Sequence, residues 1–275
     1  MALGFHHVER SSLDNVKRGI RCNASNRILE RILDMQERVF LFDVDGTLTP
    51  ARQTMNPEFE QWFYDFAEAY PVYLVSGSDR PKTLEQVGQR IYDRCVGVYQ
   101  CNGNEHWFQN SRVKNNPWQP SYDLIHFLEN EVKHSPYPLK VGNHIERRAG
   151  MVNFSTIGRD CNQPQRGAYF AWDNQNFERE RIKNAINKKY PELHASIGGH
   201  ISIDIYPRGN DKSQVSNDLR KEFKEIIFFG DRTQHGGNDY PVALAIRLGN
   251  LGTVHPVENA QDTWDILKRY DNGEI

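Results

Sequence analysis

The chain has 275 residues, 38% hydrophobic and 25% charged, which is apolar material for one large domain or two modest ones. Thirty-four Lys and Arg against 36 Asp and Glu leave a net charge of −2, so neither a nucleic-acid nor a membrane partner has electrostatic support. No apolar run reaches the roughly 18 residues that cross a bilayer, and the opening MALGFHHVERSS lacks the apolar core of a signal peptide.

Residues 1–35 read as a polar extension with one amphipathic stretch around Ile28, Leu29, Ile32 and Leu33. Arg38 to Val44 is a short apolar run ending in an acidic turn, the pattern of a buried strand in a parallel sheet. Asn56-Pro57 then opens a helix, with Asn as N-cap, Pro in the first turn, and Phe59, Trp62, Phe63 and Phe66 on the buried face. Val72 to Val75 predicts a second strand ending in Ser76-Gly77-Ser78-Asp79, then a helix with Leu84, Val87 and Ile91 inward. Val96 to Gln100, Ile226 to Phe229 and Val242 to Leu248 predict three more strands. Strands alternating with helices imply a doubly wound, Rossmann-like α/β sheet, which binds ligands at the carboxyl ends of its strands. Asp43, Ser76 and Asp231 each fall at such an end.

The middle reads differently. Ile201, Ile203 and Ile205 alternate with Ser202, Asp204 and Tyr206, and Met151 to Ser155 alternates too, so antiparallel strands with one polar face are expected. The division is an extension at 1–35, an α/β core from 36–107 and 207–275, and an inserted α+β cap at 108–206. Cys22, Cys95, Cys101 and Cys161 form no CxxC pair and have no histidines clustered beside them. Buried reduced thiols in a cytoplasmic protein are therefore expected, rather than a zinc site. Asn23-Ala24-Ser25 and Asn153-Phe154-Ser155 match a glycosylation pattern that the missing secretory signal makes idle.

Asp43-Val44-Asp45-Gly46-Thr47 is the most informative stretch. Two carboxylates two residues apart at a strand end can divide labour, one attacking phosphorus and the other trading a proton with the leaving or entering oxygen. Their repulsion calls for a cation, and Mg²⁺ suits carboxylate, carbonyl and phosphate oxygens. Gly46 permits a tight turn and close backbone approach. The competing reading, a solvated acidic turn, loses weight once the rest of the chain is considered.

This motif resembles that of the haloacid dehalogenase superfamily. The resemblance extends to Ser76 as a phosphate-oxygen donor, Lys212 as the lysine that neutralises the phosphoryl group, and the acidic run Gly230-Asp231 with Gly236-Gly237-Asn238-Asp239. It implies a HAD-like core, a metal site of Asp43, Asp45 (through its backbone carbonyl) and Asp231, and a metal-bound water held by Asp239. Within that superfamily FDVDGTLTPAR, RRAGMVNFSTIGRDC, SIGGHISIDIYP and FFGDRTQHGGND resemble the eukaryotic-type phosphomannomutases. That likeness implies Asp43 as nucleophile, Asp45 as general acid and base, and Arg52 near the reacting centre. Arg148, Asn153, Arg159 and Arg166 would bind the remote phosphate, and Ser202 and Asp204 the cap side of the sugar.

The residues agree: arginine forks match phosphate oxygens, and Ser202 and Asp204 share one face of a strand. The implied reaction interconverts mannose 6-phosphate and mannose 1-phosphate through an aspartyl-phosphate and a hexose 1,6-bisphosphate activator, with hexose phosphates as partners and a homodimer joined through the cap. A sugar-phosphate phosphatase of the same superfamily is the alternative, and glucose phosphates are open as substrates. A non-catalytic sugar-phosphate binder would be expected to have lost a motif, and none is lost. The chain departs from the family at Asn210, where a Trp precedes the Asp-Lys pair, and at Tyr240 to Ala245, where an acidic loop holds a second ion. No second ion is expected here.

Overall fold

The computed structural model describes residues 37–108 and 110–275. The stretch around Ile28 to Leu33, Cys22 and Asn23 lie outside the described residues.

Eleven strands form two sheets among the described residues. The larger runs β11-β10-β1-β2-β3-β4-β5. Its members are β1 (Arg38–Asp43), β2 (Val72–Val75), β3 (Gly97–Gln100), β4 (Glu105–Phe108), β5 (Ser111–Asn115), β10 (Glu225–Gly230) and β11 (Gly252–Pro256). The five strands from β11 to β3 are parallel, and β4 and β5 extend the edge antiparallel. Parallel strands are covered on both faces, and β1 shows it. Phe40 and Phe42 join one apolar core under α1 (Pro57–Ala69), α2 (Arg80–Arg94) and α8 (Ala260–Asp271). Val39 and Leu41 join another under α6 (Ser213–Leu219) and α7 (Tyr240–Gly249). Phe42 stacks on Phe229 at 4.9 Å and meets Phe63 edge-on at 5.1 Å, directly behind Asp43. Each such fully buried side chain contributes about 1.5–3 kcal/mol, so the strand that carries Asp43 is among the best-anchored in the molecule.

The smaller sheet runs β6-β7-β9-β8, wholly antiparallel, from β6 (Ile145–Arg148), β7 (Met151–Phe154), β8 (Leu193–Gly198) and β9 (Ser202–Pro207). Val152, Phe154, Ile203 and Ile205 bury one face against α3 (Tyr122–His134) and α5 (Glu178–Lys189), while α4 (Gln163–Asn176) packs through Tyr169 onto Ile157 and Ile201. The other face carries Asn153, Ser202 and Asp204 and is also buried, because it lies against the pocket shared with the larger sheet.

Two expectations are corrected. Val242 to Leu248 is helix α7, not a strand. Pro241 sits in its first turn, and Val242, Ala243 and Ile246 recur at helical spacing against the core. The strand comes just after, at Gly252–Pro256, on the sheet edge and half exposed. The core sheet also reaches Asn115, past the expected limit at 107, because β5 (SRVKN) is an exposed edge strand without apolar alternation. No helix among the described residues is long and apolar enough to cross a membrane.

Candidate active site

With β1 between β10 and β2, the tips that bear Asp43, Asp231 and Ser76 are neighbours. Ligand oxygens of Asp43, Asp231 and Asp239 lie within 4.8 Å of one another. Asp239 is delivered by the start of α7, and Lys212 by the residue preceding α6. The Lys212 ammonium, fully buried, binds Asp43 Oδ1 and sits 2.6 Å from Asp239 Oδ1. Burial works against its charge, but Asp239 and Asp43 outweigh that and raise its pKa.

Three carboxylates face the buried Lys212 ammonium and the partly exposed Arg232, whose Nε lies 3.7 Å from Asp231 Oδ2. Burial, then repulsion from Asp239, raises the Asp43 carboxyl well above the usual range despite Lys212. Burial and Asp239 likewise push Asp231 to about 7. Asp43 Oδ2 is buried with no partner. Gly46 makes the crowding possible: at φ +85°, a Cβ there would lie 2.5 Å from Asp231 Oδ2.

Asp45 stands apart from this cluster by its side chain. Its Oδ1 accepts from the Arg52 backbone N–H at 3.0 Å and from Gln86 Nε2 at 2.9 Å. Ser76 is buried behind the pocket wall, its hydroxyl accepting from the Ser78 N–H at 3.0 Å.

The pocket encloses about 830 Å³, its open mouth included. Asp43, Asp45, Arg52 and Asp231 line it from the core, and Arg148, Asn153, Arg159, Arg166, Ser202 and Asp204 from the inserted unit. Asn153 donates to Asp204 Oδ1 at 2.5 Å. Burial raises the Asp204 carboxyl, with Arg148 acting against it. Arg166 is braced on the carbonyls of Cys161 and Arg159. Of the site residues expected from sequence, Ser76, Lys212 and Asp239 lie behind the lining; the rest reach it.

Two participants went unforeseen. Glu146 accepts from Arg148 Nε and Nη2, both at 3.2 Å, from Arg159 Nε at 3.1 Å, and from Lys82 on α2. Burial pushes its carboxyl up, but these cations outweigh it and bring it to about 2. Its signal was available: a carboxylate two residues before Arg148 shares that strand's face. Gln86 had no comparable signal. Asn210, in the position of the expected Trp, uses its carbonyl to accept from Asn104 at 2.9 Å.

A probable phosphomannomutase of Caenorhabditis elegans is 34% identical over 249 residues, covering 85% of this chain and 96% of its own. The phosphomannomutase of Saccharomyces cerevisiae is 34% identical over 245 residues, covering 86% and 95%. That of Oryza sativa subsp. indica is 37% identical over 232 residues, covering 81% and 91%. Among solved structures, an IMP-bound Plasmodium falciparum IMP-nucleotidase superposes with a TM-score of 0.57 at 16% identity, covering 89% of this chain and 71% of that one. A trehalose-6-phosphate phosphatase related protein gives 0.52 at 18% identity, covering 86% and 98%. These two carry the fold alone. The family model of eukaryotic phosphomannomutases matches residues 59–271, from the first core helix to the last, so the inserted unit matches along with the core, and this chain belongs to that family.

Proposed function

We propose that this chain interconverts mannose 6-phosphate and mannose 1-phosphate. One observation carries the reading: an unpartnered, buried Asp43 oxygen sits at a pocket whose other wall presents Arg148, Arg159 and Arg166. One end suits the phosphate that reacts; the other suits a phosphate that is only held.

The acidic cluster fits a divalent cation of the magnesium type, since all its donors are carboxylate or carbonyl oxygens. Asp43, Asp231, the Asp45 carbonyl and, directly or through water, Asp239 would hold it. When bound it supplies positive charge to the phosphoryl oxygens. The chain's own residues do the rest. Asp43 Oδ2 attacks phosphorus as the bond from phosphorus to the sugar oxygen breaks. Asp45 gives a proton to that departing oxygen and takes one from the sugar hydroxyl in the reverse step. Lys212 holds Asp43 Oδ1 and thereby leaves Oδ2 as the attacking atom. Asp204 and Ser202 face the sugar's hydroxyls. A hexose 1,6-bisphosphate would start the cycle by phosphorylating Asp43, and each turn would regenerate it once the sugar reverses between the two ends.

Incubation with mannose 1-phosphate, Mg²⁺ and a trace of hexose bisphosphate tests this. Mannose 6-phosphate is the expected product, and glucose 1-phosphate in parallel ranks the sugars. Free phosphate without the isomer would overturn the mutase reading in favour of a hydrolase.

A further inference from the structure

We infer that Gln86 is a positioning residue for proton transfer, fixing Asp45 so that Oδ1 accepts from the protein and Oδ2 alone exchanges a proton with the sugar oxygen. The inference rests on the proposed function, in which Asp45 is the acid and base. Gln86 belongs to α2 and is buried at 4% exposure. Its Nε2 donates to Asp45 Oδ1 at 2.9 Å and to Thr49 Oγ1 at 3.1 Å. The Thr49 hydroxyl spends its own proton on the Val44 carbonyl at 3.4 Å, so it faces Gln86 as an acceptor. An amide has two N–H donors on nitrogen and none on oxygen. Two acceptors converging on one nitrogen therefore settle which way the amide points. The Arg52 backbone N–H adds a second donor to Oδ1 at 3.0 Å. With both donors on Oδ1, the free edge of the carboxyl is Oδ2.

The helix is shaped to make this contact. Gly88, two residues on, has φ 76° and ψ 157°, outside helical geometry in the middle of α2. The Gln86 carbonyl meanwhile accepts from the Met55 N–H at 2.9 Å. Main chain and side chain of Gln86 thus both grip the 45–55 loop. The amide oxygen is buried with no partner. A side chain retained only for packing would be better served by an apolar group, since an unsatisfied buried oxygen is unfavourable.

The role makes a chemical distinction that stability alone does not. Transfer from a sugar phosphate expels an alkoxide, which needs the proton of Asp45. Transfer from acetyl phosphate expels acetate, which leaves without one. In both, the bond from Asp43 to phosphorus forms as the leaving group's bond to phosphorus breaks. The experiment measures Asp43 phosphorylation by intact-mass spectrometry after quenching, with hexose 1,6-bisphosphate and with acetyl phosphate, in wild type and Gln86→Met. The bisphosphate rate should fall at least about tenfold, part of the roughly 10²–10⁴ that a placed acid contributes, with the acetyl phosphate rate held within about twofold. Gln86→Glu keeps the shape but exchanges the donor for an acceptor, and its bisphosphate rate should fall at least as far. Equal loss with both donors, or no loss with either, overturns the role of Gln86. A wild-type enzyme that releases free phosphate and no isomer overturns the mutase reading but leaves the donor comparison valid, because the first half-reaction is shared.

Discussion

Asp43, Asp231 and Asp239 are held close by a backbone that leaves no room for a side chain at residue 46. Gly46 was legible as a turn residue, yet what its missing Cβ admits is the Asp231 carboxylate, a neighbour 185 residues away that no local pattern announces. Gly46→Ala forces the new methyl against Asp231 Oδ2 and imposes a positive φ on an L side chain, at about 1–3 kcal/mol of strain. Under the proposed function Asp231 is a metal ligand, and disturbing a ligand's orientation typically weakens metal affinity about 10–100-fold. Calorimetric titration of the variant with Mg²⁺ should show that loss while far-UV circular dichroism stays native. Unchanged affinity would mean that Asp231 is not a ligand. The strand-end residues Asp43, Asp45, Ser76 and Asp231 could be read directly because their positions follow from local patterns of strand and turn. Glu146 and Gln86 could not, because their significance lies in partners distant in sequence: Lys82 is 64 residues from Glu146, and Asp45 is 41 from Gln86.

At the scale of elements, strands buried on both faces announced themselves through apolar runs, whereas the edge strands β5 and β11, and β4 beside the edge, did not. β5 exposes most of its residues, and β4 is half buried. The misread segment at Val242 to Leu248 shows the opposite failure: a short apolar run fits a buried strand and a buried helix equally well. β4 carries a consequence of its own. His106 stacks on Tyr99 with ring centroids 3.9 Å apart, and its Nε2 is buried without a partner. Burial lowers its pKa from 6.5 to about 4, against the pull of Asp218 and with the help of Lys114. Between those two values the unfolded chain binds a proton that the folded one refuses. Stability therefore falls as pH drops from 6.5 toward about 4, and the loss is complete below the lower value. His106→Phe keeps a ring on Tyr99 and removes the proton site. Urea midpoints of wild type and variant, compared across this interval, should show a shallower acid decline in the variant. Equal declines would mean that His106 titrates freely in the fold.

Across the whole molecule, the two sheets enclose the pocket from both sides, and polar contacts tie them together over it. Lys82 on the core helix α2 reaches Glu146 on the inserted sheet, and Arg148 Nη1 donates to the Gly77 carbonyl at 2.5 Å. Glu146 is thus both the brace of Arg148 and Arg159 and half of a clasp between the units. This division of labour suits a transferase. In the proposed reaction an acyl phosphate on Asp43 would have to be kept from water while the sugar reverses, and closure of the two units over the pocket is one means of excluding it. Lys82 lines no part of the pocket, so its removal loosens the clasp without touching the chemistry. A partly exposed ion pair of this kind is worth about 1 kcal/mol, about fivefold in the balance between closed and open forms. Lys82→Met should therefore raise the ratio of free phosphate to mannose 6-phosphate several-fold at saturating substrate, with the rate of Asp43 phosphorylation by acetyl phosphate nearly unchanged. A variant with the wild-type partition ratio would show that water is excluded by the bound sugar itself, and that the clasp serves stability alone.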